Sequence, residues 1–243
     1  MGRPPKLSPV ARRIETRRRL IEAAIQLFLV HDYDSVSIRD IARSAGVTSA
    51  MIKYYFGDKP RLFEALFRHV AGPVDAERRE LLAELQQEER SPSVREILAA
   101  WIKPALRSDK HPERGAFWKI VTSMPGRPAR LREKLVVESF DKTNRLFLAA
   151  LQHALPGISQ GDLAWRLYFL IGGLLYCDKP NLPGLSVVSD GLADSENAAE
   201  MFERILDFAV AGFEGPSSLQ PARGRGVRNK QAAASAYRRV PVN

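Results

Sequence analysis

Apolar residues recur at helical spacing along most of the chain, and no useful length shows the alternation of a β-strand. Residues 13–30 place four such side chains on one helical face: Leu20, Ala24, Leu27 and Phe28. Comparable patterns predict further helices over residues 74–90, 94–106, 111–123, 129–154, 160–177 and 196–213. The predicted fold class is therefore all-α.

One short stretch near the N-terminus combines signals for helix starts with a signal for a tight turn. Ser37 can cap a helix, with Asp40 three residues later in the capping-box position. Gly46 lies where that helix must end in a left-handed turn, which glycine adopts without penalty. Thr48 then starts a short third helix over residues 49–55. Two helices joined by a glycine turn predict a helix-turn-helix, whose second helix lies across the DNA major groove.

Proline, glycine and charge divide the remainder of the chain. Gly72 and Pro73 are predicted to interrupt the fourth helix, and residues 178–194 are predicted to form a loop. The chain is thus predicted to begin with a basic disordered arm (1–13), followed by a DNA-binding domain (14–74). A larger helical domain for ligand binding and dimerisation (75–214) and a basic disordered tail (215–243) complete it.

The net charge of +9 is concentrated at the two ends of the chain. The first 19 residues carry seven basic side chains against one acid, and the tail carries six basic side chains and no acid, so the residues between them are net acidic. This distribution is typical of a protein that binds a polyanion rather than of a uniformly basic enzyme.

The sequence offers no constellation typical of catalysis or of metal binding. The four histidines are scattered, and no carboxylate or cysteine stands at metal-ligand spacing from them. A single cysteine, Cys177, in an apolar setting excludes a disulfide framework and favours a reducing cytoplasm. The uncharged run 167–177 is too short for a bilayer, which needs about 20 residues. We expect no catalytic residue, no metal, no cofactor and no membrane association.

The stretch IRDIARSAGVTSAMIKYYFGDKPRLF resembles the DNA-binding signature of the TetR family of bacterial transcription regulators. The resemblance covers residues 14–74 and includes the IAxxAGV turn, the YYF cluster and the GDK step in register. It implies that the partner is a double-stranded DNA operator and that the protein is a ligand-responsive transcription regulator, most simply a repressor.

The candidate DNA contacts fall into two groups. Residues on the outer side of the recognition helix and at the start of the second helix are predicted to reach base edges, because arginine and lysine pair with guanine and small side chains touch thymine methyls: Arg39, Ser49, Ala50 and Lys53. Caps, and positions that usually contact phosphate in the family, are predicted to hold the DNA backbone: Ser37, Thr48, Tyr54, Tyr55 and Lys59.

Aromatic residues gather in the predicted second domain. They can be ordinary core, but they can also enclose an apolar cavity, and family members use such a cavity for an inducer. The pocket candidates are Trp101, Phe117, Trp118, Phe140, Trp165 and Phe169. The stretches ALFRHVAGP, REILAAWIKPAL and DLAWRLYFLIGG are similar to the fatty-acid-sensing branch of the family. We therefore expect a small apolar or amphipathic effector, with a fatty acyl compound as the first candidate.

The resemblance also implies a homodimer whose last two long helices, 160–177 and 196–213, form a four-helix bundle with their copies. Apolar residues crowd both helices, and the interface is predicted at Leu167, Leu170, Ile171, Leu174, Leu175, Phe202, Ile205, Leu206 and Phe208. Effector binding in the larger domain is expected to move the fourth helix and so change the spacing of the two recognition helices.

Two functions from other classes remain open on the sequence alone. An enzyme with an appended DNA-binding module would need convergent polar groups in its apolar pocket, and the sequence shows no sign of them. A structural protein that binds DNA through its basic ends would show no sequence preference. The polar groups of the pocket would distinguish the enzyme from a regulator, and the lack of sequence preference would distinguish the structural protein.

Overall fold

The computed structural model describes residues 8–106, 117, 120–121, 129–177, 183–193 and 197–216. These residues form nine α-helices and one 3-10 turn, and no strand occurs among them. The helices are α1 (Pro9–Val30), α2 (Ile38–Ser44), α3 (Ser49–Phe56), α4 (Lys59–Gln87), α5 (Val94–Ile102), α6 (Ala129–Ala154), α7 (Gln160–Cys177), α8 (Pro183–Val188) and α9 (Ala198–Glu214), with the 3-10 turn at Lys103–Ala105. The all-α prediction is confirmed.

Helix α1, the short helices α2 and α3 and the start of α4 enclose the core of the N-terminal domain. The predicted apolar face of α1 is buried, with Leu20 and Ala24 fully inaccessible. Ile41 of α2 and Ile52 of α3 pack into the same core. Three rings from α1, the following loop and α4 close one end, with centroids 5.4–5.7 Å apart: Phe28, Tyr33 and Phe63. The apolar core therefore fixes the orientation of α3 relative to α1 and α4.

Helix α1 begins earlier than the sequence pattern predicted. Ser8 caps it by accepting a hydrogen bond from the Ala11 N–H at 3.1 Å, and Pro9 occupies the first turn, where a missing N–H costs nothing. The prediction that residues 9–13 belong to the disordered arm is wrong, because they are helical. The arginines of this segment are therefore carried on a rigid extension of α1.

Helix α4 runs without interruption through Gly72 and Pro73, contrary to the predicted break. Both residues face solvent, so the carbonyl that Pro73 leaves without an intrahelical donor can bond to water. Ala71 and Val74 on the opposite side are buried and hold the helix against its neighbours. The predicted domain boundary at 74/75 thus falls inside one helix, which packs on α1, α3, α5 and α6.

In the larger domain α5 and α6 pack on α4, α9 packs on α5, and α7 packs on α6 and α9. Arg95 of α5 ties α9 to this core through ion pairs with Glu203 at 2.7 Å and Asp207 at 2.5 Å. The predicted loop 178–194 is partly wrong, because Pro183–Val188 form the short helix α8. The predicted helix 111–123 lies largely outside the described residues. In the part of the chain that the structure describes, no helix is long and apolar enough to cross a membrane.

Helix α7 has two apolar faces, and three of its five predicted dimer residues lie on the inner one, whereas Ile171 and Leu175 are half-buried. Leu167, Leu170 and Leu174 are buried within the protomer, so they are core rather than a free interface. The outer face of α7 carries large exposed rings at successive helical turns: Trp165, Tyr168 and Phe169. On α9, Leu206 is likewise buried, whereas Phe208 is exposed, as an interface residue of a dimer would be in one isolated protomer.

Candidate nucleic-acid interface

The turn between α2 and α3 has the geometry that the glycine predicted. Gly46 adopts φ +64°, and its N–H donates to the Arg43 carbonyl at 3.1 Å. The guanidinium of Arg19 on α1 donates to the Ala45 carbonyl at the end of α2. A charged donor satisfies a carbonyl that the helix end leaves free, so α1 braces the turn. A Cβ built on Gly46 would lie 3.0 Å from Arg19 Nη2.

The recognition helix α3 presents one buried side and one accessible side. Ile52 and Phe56 point into the core, as predicted. Ala50, Lys53 and Tyr54 are exposed on the outer side, and Ser49 is half-buried beside them. The structure thus brings the predicted base-reading residues of this helix onto one accessible surface.

The residues that cap α2 and α3, Ser37 and Thr48, differ in whether their hydroxyl groups are available to donate to a phosphate. The Ser37 hydroxyl and N–H both donate to Asp40 Oδ2, at 2.5 and 3.0 Å, and these bonds lower the pKa of the Asp40 carboxyl below its ordinary value. Ser37 is therefore committed to capping, and the structure gives its side chain no free proton for a phosphate. Thr48 is exposed and makes no capping hydrogen bond, so its hydroxyl can donate to the DNA backbone. Arg39 on the first turn of α2 is exposed.

Lys59 begins α4 and contacts the loop that follows α1. Its ammonium donates to the Tyr33 carbonyl and lies 3.9 Å from the centroid of the Tyr33 ring. Tyr55 is half-buried and packs edge-on against the exposed Tyr54, with centroids 5.1 Å apart. The predicted phosphate contacts Tyr54 and Tyr55 therefore share one edge of α3, whereas the Lys59 side chain is held inside the domain.

Two arginines of α1 extend this surface and are not among the DNA contacts predicted from the sequence. The guanidinium carbon of Arg13 lies 5.9 Å from the Tyr54 ring centroid, and that of Arg17 lies 5.3 Å from the Phe56 ring centroid. Both side chains are exposed. Their spacing of four residues places them on one face of α1, which is the signal that could have identified them. The basic charge of the N-terminus is thus partly fixed beside the recognition helix.

Three of the six predicted pocket residues meet in the core of the larger domain. Phe117 and Phe140 are buried with ring centroids 6.0 Å apart, and Phe67 of α4 packs on Phe140 at 6.1 Å. Trp101 is buried, and its indole Nε1 donates to Asn144 Oδ1 at 3.1 Å. Trp118 lies outside the described residues.

The prediction that Trp165 and Phe169 line the same pocket is wrong. They are 65% and 70% exposed and stack on each other on the outer face of α7, with centroids 5.8 Å apart. The physical reason is that Leu163, Leu167 and Leu170 occupy the inward face of that helix. The described residues also form a groove of about 390 Å³ between the C-terminal end of α4 and α6, and its lining includes the charged or titratable side chains Glu88, Arg90 and His153. In the described chain no three His, Cys, Asp or Glu side chains are placed to hold a metal ion.

Family models match both parts of the chain. Residues 20–66 match the model of bacterial regulatory proteins of the tetR family, and residues 99–212 match the tetracyclin repressor-like C-terminal domain. The HTH-type transcriptional regulator BetI of Agrobacterium fabrum is 31% identical over 159 residues, which cover 65% of this chain and 74% of BetI.

Solved structures share the fold over most of the chain. The FadR regulator of Bacillus subtilis, solved in complex with stearoyl-CoA, superposes with a TM-score of 0.54 at 17% identity and covers 80% of this chain and 98% of its own. A putative transcriptional regulator from Saccharomonospora viridis, solved with choline, gives a TM-score of 0.56 at 23% identity over 80% of this chain and 95% of its own. At such identities the likeness concerns the fold alone.

Proposed function

The chain belongs to the TetR family of bacterial transcriptional regulators. From this premise we propose that it binds its operator as a homodimer and represses transcription. A small apolar or amphipathic effector releases it from the DNA. The observation that carries the proposal is the accessible surface of α3, with Lys53 and Tyr54 outward and Ile52 and Phe56 in the core. Such a helix can enter the major groove without unfolding its own domain.

Base readout is proposed for the outer side of α3 and the start of α2. Lys53 and Arg39 are exposed cations that can pair with guanine O6 and N7, and Ala50 allows close approach to the base edges. Phosphate contacts are proposed for Thr48, Tyr54 and Tyr55, with Arg13 and Arg17 of α1 on the flanking backbone.

Lys59 is kept as a proposed phosphate ligand, although in the free protein its ammonium donates to the Tyr33 carbonyl. A hydrogen bond from a cation to a phosphate oxygen is stronger than one to a neutral carbonyl, so DNA can draw the side chain away from Tyr33. Ser37 is not kept, because Asp40 takes both of its donors.

The base-reading pair gives the experiment that tests this function. Replacing Arg39 or Lys53 with alanine is expected to cost about 1–3 kcal/mol on the preferred operator and little on random DNA. Binding constants measured by fluorescence anisotropy on both DNAs give the comparison. Arg145→Ala is the matched control, because Arg145 is an exposed arginine of α6 in the larger domain, paired with Asp141. Equal losses on operator and random DNA would assign both side chains to phosphate instead.

Dimerisation is proposed through the outer faces of α7 and α9. Four large rings are exposed there in the single protomer: Trp165, Tyr168, Phe169 and Phe208. Exposed apolar clusters of this kind mark protein interfaces. Gly172 and Gly173 lie on the same helix, and a Cβ added at either would meet no atom within 4 Å, which leaves room for a partner helix to approach closely.

The effector is proposed to bind among the buried rings of α4, α5 and α6. Helix α4 is continuous and packs on α1 and α3 as well as on α5 and α6, so a ligand that shifts α4 also shifts the support of α3. The effector must favour the state with altered recognition-helix spacing, since a ligand with equal affinity for both states changes nothing.

A further inference from the structure

Helix α4 holds two charged side chains with unsatisfied polar atoms inside the larger domain. Arg78 is only 2% exposed, and among the described residues its Nη2 has no hydrogen-bond partner; Asp75 Oδ1, one turn earlier, is also buried without one in this part of the chain. A buried polar group left unsatisfied destabilises the fold, and more strongly when it is charged. Such atoms in a ligand-binding domain indicate that a further polar group completes the site.

The position of Arg78 is fixed by the neighbouring helix α5. Its Nε donates to the Trp101 carbonyl at 2.7 Å, and its guanidinium carbon lies 3.8 Å from the centroid of the Trp101 ring. Trp101 is itself held by Asn144 of α6. The guanidinium is thus held by its Nε and by one face, and Nη2 is a buried donor that remains unsatisfied among the described residues. A donor held this way loses little freedom when it binds a ligand.

The charge of Arg78 is only partly balanced by the protein. Burial lowers the pKa of Arg78 to about 9, against the opposing effect of the Asp75 carboxylate, so the guanidinium is still charged at pH 7. Asp75 is shared, because its other oxygen accepts from the Arg79 Nε at 3.2 Å and Arg79 faces solvent. Because the Asp75 carboxylate is shared with Arg79, the buried charge of Arg78 favours binding of an anion and disfavours binding of a second cation.

We propose that Arg78 binds the carboxylate of the effector through Nη2, with the apolar part of the effector among the rings of Phe67, Phe117 and Phe140. The proposal rests on the proposed function, because it names the chemical class of the ligand that the larger domain senses. Carboxylates accept hydrogen bonds from guanidinium groups in a well-defined geometry, and the surrounding core supplies the apolar walls.

The placement of Arg78 on α4 also connects effector binding to DNA release. A carboxylate drawn to Nη2 acts on the helix whose first turns support α3, and not on a peripheral loop. Arg78 of α4 contacts Trp101 of α5, so a carboxylate that neutralises the Arg78 guanidinium changes how these two helices pack. An uncharged apolar molecule would fill space but would not alter the contact between Arg78 and Trp101.

The first test compares head groups on the unmodified full-length protein. Thermal unfolding is measured with decanoate and palmitate, with their methyl esters, and with trimethylammonium ions of the same chain lengths. We expect the carboxylate to raise the melting temperature, since a ligand of the folded state must stabilise it, and the ester and the cation to have much smaller effects. Equal stabilisation by the ester, stronger stabilisation by the cation, or none by either carboxylate would overturn the proposal.

The second test places the preference on Arg78. Arg78→Met keeps much of the side-chain stem and removes the charge, and it is expected to weaken carboxylate binding at least about tenfold without weakening ester binding. Tryptophan fluorescence titration measures both affinities. Arg79→Met is the matched control, since Arg79 is the adjacent but exposed arginine, and it should retain the preference. If Arg78→Met does not fold, Arg78→Lys and the head-group comparison on the unmodified protein decide.

Failure of this inference and failure of the proposed function give different results. If Arg78→Met binds carboxylate and ester as the unmodified protein does, Arg78 does not recognise the head group, whatever the DNA results. If the unmodified protein shows no preference among DNA sequences, the proposed function fails even where carboxylates bind. Operator affinity of the Arg78 and Arg79 variants is therefore measured in the same experiment.

Discussion

Replacing Phe169 with arginine is expected to convert the protein to monomers and to lower its operator affinity by about 10²-fold or more. Phe169 stacks on Trp165 at the centre of the exposed face of α7, beside Tyr168. A charge there would be buried without a partner in the dimer, whereas in the monomer it stays in water. The DNA affinity falls because one half-site is then bound alone, without the effective concentration that the second subunit supplies.

Sedimentation velocity and operator titration measure the two effects, and circular dichroism shows whether the helices remain intact. Val137→Arg is the matched control, because Val137 is an exposed apolar residue of α6, outside the α7 and α9 faces. It should leave both the dimer and the operator affinity unchanged. A stable Phe169→Arg dimer would place the interface elsewhere. Leu174→Arg is unsuitable for this purpose, because Leu174 is fully buried within the protomer and a charge there would unfold the domain.

Replacing Gly46 with valine is expected to destabilise the DNA-binding domain by about 1–3 kcal/mol and to abolish most operator binding. The residue has φ +64°, which a β-branched side chain adopts only with strain, and its Cβ would approach Arg19 Nη2 at 3.0 Å. The turn sets the angle between α2 and α3. A shift there moves every base-reading side chain of α3 away from the groove.

Gly46→Asn separates the two causes of this loss. Asparagine also adds a Cβ near Arg19 but tolerates the left-handed region far better than valine, so its variant should lose much less stability. Chemical denaturation of both variants gives the comparison. Equal losses would mean that the Arg19 contact, and not the backbone conformation, governs the turn.

The helix-turn-helix could be predicted in detail because its signals are local. The capping box of Ser37 and Asp40 and the left-handed Gly46 each lie within a few residues of the feature that they fix. The exposed and buried sides of α3 follow from helical periodicity once the helix is placed. The sequence could not show that Lys59 would contact Tyr33, because that contact depends on the packing of α4 against the loop after α1.

The faces of α7 show where helical periodicity is insufficient. Both faces are apolar, and the pattern does not say which one packs inside the protomer. The leucines are inside and the aromatic residues outside, which reverses the assignment of Leu174 and Phe169. Only the positions of α6 and α9, set by contacts far apart in sequence, decide between them.

Helix α4 and Arg78 show a second limit of local signals. Gly72 and Pro73 are strong helix breakers, yet burial of Ala71 and Val74 outweighs their cost. Arg78 lies in a charge-rich segment of α4. Its spacing of four residues from both Val74 and Leu82 places it on the buried face, a signal visible only once α4 is known to be continuous.

Selection of bound sequences from a random pool of double-stranded DNA by the full-length protein tests the central claim most directly. A dimeric repressor that reads bases through α3 predicts enrichment of an inverted repeat, with its two half-sites about one helical turn, ~34–36 Å, apart or a multiple of that distance. Lys53→Ala is expected to relax the preference at the same position in both half-sites. A pool that shows no enriched sequence, with equal affinity for all members and only a salt-dependent attraction, would contradict the claim and support a non-specific DNA-binding protein.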